Sequence, residues 1–284
     1  MKNIYFLKEN HKYIDDKNNI YTSVSHLWKP YFGKFDDINI AIKLAYRDLD
    51  PTSYKLISSD LNINDKEIVK KLKKISKISQ TRINKKTKEY LQKWENKRNL
   101  GTAFHKKQEL FDINNDYDIN PFTKKKQKLI NWEIKEGYDN QSFPGNLYQD
   151  IPDGYIPEHL IKIDEYKIAG QMDKNFIETI NGKRYIDIDD WKTDAEIKIK
   201  PGFNFRQKYM NFPINHIYDT NYWRYTLKIS TYAYILEQEG FTVRNLAFTH
   251  VIIDENLNII KQKKYRIPYK RMEVQQILKF FKKN

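Results

Sequence analysis

The 284-residue sequence predicts an α/β fold: a mixed central sheet flanked by helices, with a helical extension on its N-terminal side. Three features lead there. Residues 160–192 alternate as strands do, and Asn181-Gly182 between two such runs is a strong hairpin signal. A helix over 222–238 stops at Gly240 and is followed by two more strand-like runs and a last helix, KRMEVQQILKFFKK. Upstream, residues 65–98 are long, basic and helical in period, with Ile68, Leu72, Ile75 and Ile78 on one stripe.

Taken in chain order, residues 4–22 read as a hairpin turning around Asp15 to Asn19. Ser23 or Ser25 can cap a short helix through Leu27 and Trp28, with Pro30 in its first turn or at its end. A helix is expected from Asp36 to Asp48, and Gly101 is read as opening another, GTAFHKKQELFD. A further helix is expected over about 122–136, then a loop containing Gly and Pro near 144–154. The division this suggests is 1–100, a hairpin with a basic helical region, and 101–284, the α/β core.

Lys and Arg total 51 against 37 Asp and Glu, a formal charge of +14. Such a surplus favours a polyanionic partner, nucleic acid first. Lys70 to Arg98 alone carries a net +10, which marks Lys73, Lys74, Lys85 and Lys86 as candidate backbone contacts. A solvated helix face is the plain alternative for any charge run. Residues 194–221 are irregular, and the aromatic and basic loop 200–223, with Arg206 and Lys208, is suited to stacking bases and holding phosphates, a core-covering loop being the plain alternative. Cysteine is absent, which excludes disulfides, thiolate zinc sites, iron–sulfur clusters and Cys nucleophiles. No apolar run approaches the ~20 residues that cross a bilayer, and MKNIYFLKENHKY lacks a signal-peptide core. A soluble, cytoplasmic, monomeric protein with no membrane partner is expected.

The chemistry is expected on the strand Tyr185 to Thr193. Alternation puts Ile186, Ile188, Asp190 and Lys192 on one face, so a carboxylate and an ammonium end a core-facing row. Charge there is costly unless compensated. A metal ion on Asp190, with Lys192 beside a reacting phosphate, would compensate it. Asp173 ends the preceding run and can fold back towards Asp190, and two convergent carboxylates are the usual minimum for Mg²⁺ or Mn²⁺. D-x-K by itself is a weak pattern: Asp15-Asp16-Lys17 also fits it, in a polar turn where solvation is expected. His105 and Glu109 share a helix face four residues apart, the first a candidate ligand and the second a candidate orienting group. Lys228 and Tyr232 repeat that spacing on the 222–238 helix, where an amphipathic tyrosine at the core edge is the plain reading.

In order, these pieces resemble the RecB-like branch of the PD-(D/E)XK nuclease superfamily: a G-T-x-x-H helix (Gly101, Thr102, His105), a G-x-x-D strand (Gly170, Asp173), a D-x-K-T strand (Asp190, Lys192, Thr193) and a Q-x-x-x-Y helix (228 and 232). The opening HKYIDDKNNIYTSVSHLW resembles phage-encoded members and the mitochondrial genome maintenance exonuclease. The resemblance implies a PD-(D/E)XK core and a Mg²⁺- or Mn²⁺-dependent deoxyribonuclease, an exonuclease on single strands or DNA ends serving replication, recombination or repair proteins. A phage-encoded member would act in the host cytoplasm. It implies metal ligation by His105, Asp173, Asp190 and the carbonyl of Trp191, catalysis by Lys192, and supporting roles for Tyr232 and Glu158. The family's Gln is Lys228 here, a cation able to meet phosphate or a sign of a drifted site. The alternatives are a restriction-type or junction-cleaving endonuclease on the same core, or a DNA-binding or structural protein with a decayed site.

Overall fold

The structure, a computed structural model, describes residues 4–7, 12–33, 35–58, 63–130, 151–202 and 209–282. Its centre is an eight-stranded mixed sheet. Strands β1 (Ile4–Leu7), β2 (Lys12–Asp15) and β3 (Ile20–Ser23) form an antiparallel meander, one strand more than the expected hairpin. Asp15 is buried rather than solvated. Its carboxylate accepts from the Lys17 and Asn19 backbone N–H groups, both at 2.9 Å, and so builds the β2–β3 turn. Beyond it lie β6 (Gly154–Ile163), β7 (Ile168–Ile180), β8 (Lys183–Lys192), β9 (Thr242–Ile253) and β10 (Ile259–Arg266). The order is β1-β2-β3-β7-β8-β9-β10, with β6 also on β7, and β3–β7 and β8–β9 are the parallel pairs. A separate hairpin joins β4 (Tyr117–Ile119) and β5 (Lys126–Lys128). The helix expected over 122–136 is therefore not formed through 126–128, and 131–150 lie outside the described residues.

Strand β7 arranges the molecule. One of its edges is taken throughout by β6, from Ile163↔Ile168 to Gly154↔Ile177. The other edge is shared: β3 pairs with Ile168 and Ala169, and β8 pairs with Lys174 to Ile180. Gly170 to Asp173 therefore lie in a fork between β3 and β8. Past Lys174↔Asp189, β8 leaves β7 and continues on β9 alone, with Asp190↔Phe248 and Lys192↔His250.

The main core lies between the sheet and three helices, α1 (Val24–Trp28), α6 (Asn221–Gln238) and α7 (Arg271–Phe281). Ser23 caps α1 by accepting from the His26 N–H at 3.1 Å, and a 3-10 turn follows over Lys29–Tyr31, with Pro30 in it. Trp28 is buried and donates its indole N–H to Thr231 of α6 at 2.9 Å. A second core joins α2 (Asp37–Leu49), α4 (Asp65–Ile75) and the start of α5 (Gln80–Ile113) around Ala45, Tyr46, Ile68, Leu72 and Ile83, with α3 (Pro51–Ser58) packed against α2 and α4.

Two expectations fail along this region. The basic stretch is two helices, because Ser76 ends α4 and donates its hydroxyl to Asp50 at 2.5 Å. Gly101 does not open a helix but lies inside α5, which runs unbroken across the expected boundary at residue 100. With β1–β3 also in the central sheet, the N-terminal hundred residues are not a separate layer. No helix among the described residues is long and apolar enough to cross a membrane.

Candidate active site

The fork is where charged side chains meet. Beyond Asp189, the Trp191 N–H has no β7 carbonyl opposite it, and the Asp173 carboxylate accepts it instead at 2.6 Å. Asp173 is thus mid-strand rather than at a strand end, but it bridges the diverging arms as the alternation requires. Asp190 and Lys192 stand on the core-facing side of β8 with Ile186 and Ile188, and both charged groups are buried. The Lys192 ammonium donates to Asp190 Oδ2 and to the Trp191 carbonyl, the latter at 2.8 Å. Asp190 Oδ1 is buried with no hydrogen-bond partner.

Helix α5 supplies His105, whose Nδ1 lies 3.4 Å from Asp173 Oδ2. Close packing puts it there. A Cβ on Gly101 would come within 2.6 Å of Thr193 Oγ1, so glycine lets α5 lie this near the end of β8 without displacing the threonine hydroxyl. Phe104 is fully buried edge-on against Trp191, with centroids 5.8 Å apart. On the other side, a Cβ on Gly170 would meet Tyr232 Cε1 at 2.5 Å, so glycine also lets α6 seat Tyr232 against β7. The two glycines of the ordered motifs are contact points that close the site from opposite directions.

A cavity of about 290 Å³ opens here, lined by His105, Glu158, Asp173 and Lys192 with Lys228 and Tyr232 of α6. Its outer wall is Phe6, Tyr13, Ser23 and Ser25 of the N-terminal meander and α1. Glu158 sits at φ +49° between the pairs Pro157↔Lys174 and His159↔Met172, a local kink in β6. Burial first, then the Asp173 and Glu109 carboxylates, push the Glu158 carboxyl well above the usual range. Burial would also raise Asp173, but His105, Lys192 and Lys228 outweigh it and hold that carboxyl low. Burial keeps His105 neutral, against the pull of Asp173. Burial and the neighbouring Lys228 bring Lys192 down to about 7. Burial opposes the Lys228 charge, yet Tyr232 and Asp173 more than offset it and keep the ammonium protonated.

The site therefore gathers His105, Glu158, Asp173, Asp190, Lys192, Lys228 and Tyr232. Glu109 stays outside the cavity, accepting from Lys106 at 3.0 Å. Lys73, Lys74 and Lys85 are exposed on the outer helices, whereas Lys86 is paired with Glu89 at 2.9 Å. Arg206 and Lys208 lie outside the described residues.

The opposite face of the fork escaped the sequence reading. Asp187 is fully buried and gripped by Arg244 (3.0 and 2.6 Å), Asn245 and Asn120, while Asp189 takes Lys264 and Thr249. Lys174 bridges Asp112 and Asp118 at 3.1 and 3.0 Å. Alternation does place Asp187 and Asp189 opposite Asp190, but their partners come from β4–β5, β9 and β10, which no local pattern announces.

Comparison of the chain with family models, with curated proteins and with solved structures gave no match.

Proposed function

We propose that this chain is a divalent-metal-dependent phosphodiesterase of the PD-(D/E)XK type that hydrolyses DNA, with exonucleolytic action on single strands or ends. The observation that carries the reading is the buried, partnerless Asp190 Oδ1, one residue before Trp191, whose N–H the Asp173 carboxylate accepts while His105 Nδ1 lies 3.4 Å from that carboxylate. A buried carboxylate oxygen without a partner is costly, and a hard cation is a ligand that satisfies it. Two carboxylates and an imidazole, without sulfur, suit Mg²⁺ or Mn²⁺. Among the described residues no three His, Asp or Glu side chains are yet drawn into a cluster fit to hold a metal ion, and Lys192 supplies the countercharge to Asp190.

His105, Asp173, Asp190 and the Trp191 carbonyl are the groups that would hold the ion. Such an ion polarises a phosphate and acidifies a bound water. Asp173 also ties the fork through the Trp191 N–H, which fixes its carboxylate against the far end of β8. Lys192 presents an ammonium where negative charge grows on the phosphate oxygens, and its burial makes that charge effective. The Tyr232 ring, pinned by Gly170, walls the cleft and excludes water.

The test is digestion of end-labelled linear and closed circular DNA with Mg²⁺, with Mn²⁺ and with EDTA. Metal-dependent loss of linear DNA with circles spared supports the proposal. Cut circles would replace it with an endonuclease, and binding without cleavage under any divalent metal would sink it.

A further inference from the structure

Lys192 has a neighbour that does not line the cavity. Its ammonium stands 4.9 Å from the centroid of the Tyr225 ring on α6. That ring is partly buried against the main core. Its hydroxyl donates to Asp194 Oδ2, and the ring meets Phe248 edge-on with centroids 5.5 Å apart. The register of β8 and β9 sets Phe248 opposite Asp190 and His250 opposite Lys192. His250 Nε2 in turn lies 2.7 Å from the Asp194 carbonyl oxygen. Asp194 follows Lys192 closely in the chain, and it ties the segment leaving β8 to β9 through its backbone and to α6 through its carboxylate. One short segment thus orients both the lysine and the ring it faces.

Asp190 cannot serve a metal ion and Lys192 alike. The two acceptors of the Lys192 ammonium, Asp190 and the Trp191 carbonyl, are both groups that would hold the ion. Lys228 lines the same cavity, and two ammoniums repel each other there. Among the described residues, the Tyr225 ring is the direct contact of Lys192 that is not also a proposed ligand. A ring face attracts a cation, the more so away from water, and offers a hard metal ion no oxygen. We propose, resting on the nuclease reading, that Tyr225 is a positioning residue, whose ring, oriented by Asp194, holds the Lys192 ammonium at the cavity when Asp190 and the Trp191 carbonyl serve the metal. Filling space would ask only for volume at this position; holding a cation asks for an electron-rich ring.

The experiment grades the ring at nearly constant shape. Position 225 receives Phe, then mono-, di- and trifluorinated phenylalanine, in which each fluorine draws charge off the ring face. Tyr225→Leu removes the ring, and circular dichroism confirms folding. Both kcat and KM are measured on single-stranded DNA with Mg²⁺. Tyr225→Phe loses only the Asp194 bond and turns over roughly threefold more slowly than the wild type. From there kcat falls with each fluorine, on the order of tenfold by the third, while KM holds. A second readout needs no cleavage. NMR of lysine labelled at its ε-methylene follows the Lys192 signal, identified by its loss in the Lys192→Met, Asp190→Asn chain. The ring moves that signal upfield in the wild type, in Ca²⁺ as in EDTA, and the displacement is gone in Tyr225→Leu.

Equal kcat in the Phe and trifluorinated chains overturns the proposal. So does a rise in KM at constant kcat, which would give the ring a part in holding the strand instead. A Lys192 signal that is not upfield in the wild type, or that returns to the ordinary lysine position when Ca²⁺ is added, overturns it too. If Tyr225→Leu does not fold, the fluorinated series decides, because the shape of the ring is kept throughout. If the wild type never cleaves with Mg²⁺ or Mn²⁺, the nuclease reading fails, and the Lys192 signal alone decides whether the ring holds the ammonium.

Discussion

Asp190 and Lys192 compensate each other's burial, and that governs how their variants behave. Removing one member of a buried pair leaves the other uncompensated, a loss of typically 3–5 kcal/mol. Lys192→Ala is therefore expected to destabilise the chain as well as stop hydrolysis, whereas Lys192→Met with Asp190→Asn removes both charges at similar volume. The double variant should fold with a urea midpoint near that of the wild type, bind DNA at wild-type affinity, and cleave at least about 10²-fold more slowly. Cleavage within a few-fold of the wild type would show that neither group takes part in the reaction. Much of this pair was legible from period-two alternation, because a strand allows only one face to Ile186, Ile188, Asp190 and Lys192. Asp15 was misread for want of tertiary context: in a turn of Asp, Lys and Asn nothing local says that the carboxylate ends up buried, with the Tyr21 hydroxyl donating to it at 3.3 Å.

At the scale of elements, the β7–β8 hairpin was readable because Asn181-Gly182 supplies the turn its register requires, with Asn181 at φ +51° and Gly182 at φ +74°. Helix α5 was not. Gly101 was read as a start signal, but its meaning is the contact with Thr193, just past the end of β8 and 92 residues away in the chain. The break between α4 and α5 was hidden because Ile75 and Ile78 continue the helical spacing, while the cap that ends α4 is held by Asp50 of another helix turn. These helices carry the molecule's basic surface. Lys73, Lys74 and Lys85 are exposed, and replacing them with Gln should weaken single-strand binding and flatten the plot of log affinity against log salt by up to ~0.7 per lost phosphate contact. Lys86→Gln should change it least, because Glu89 already neutralises that charge. An unchanged slope in the folded triple variant would make these lysines a merely solvated face.

For the whole molecule, the pH dependence of stability turns on groups buried in the neutral form. His159 is fully buried opposite Met172, and burial brings its pKa down from 6.5 to about 4, outweighing the opposing influence of neighbouring Asn175. The unfolded chain therefore binds a proton between these values that the folded chain refuses. Stability from this source is complete above about pH 6.5 and is lost as pH falls towards 4, with a limit on the order of 3 kcal/mol. Glu158, raised by burial, works in the opposite sense, so the comparison must be between proteins that share it. Urea unfolding at pH 7 and pH 4.5 should show a larger loss in the wild type than in His159→Gln; equal losses would mean that His159 is not the titrating group. Composition anticipated the basic surface, but not this balance, since which side chains are sealed from water is decided by strands far apart in sequence.

Helix α5 is also a lever. It is one rod of 34 residues, about 50 Å long, anchored in the helical core at Ile83 and bearing His105 roughly 30 Å further along. A tilt of about 2° about the first anchor carries the imidazole about 1 Å sideways, and displacements of that size cost a reaction on the order of 10² in rate. A strand gripping the lysines at the near end is therefore expected to load the Gly101–Thr193 and Phe104–Trp191 contacts that set the imidazole at the far end. Softening the shaft at exposed Asn96 and Asn99 with glycine, about 1 kcal/mol of helix stability each, should leave nucleic-acid affinity intact and slow turnover on long strands more than on trinucleotides too short to reach the arm. Equal slowing on both lengths would mean that the shaft carries no torque.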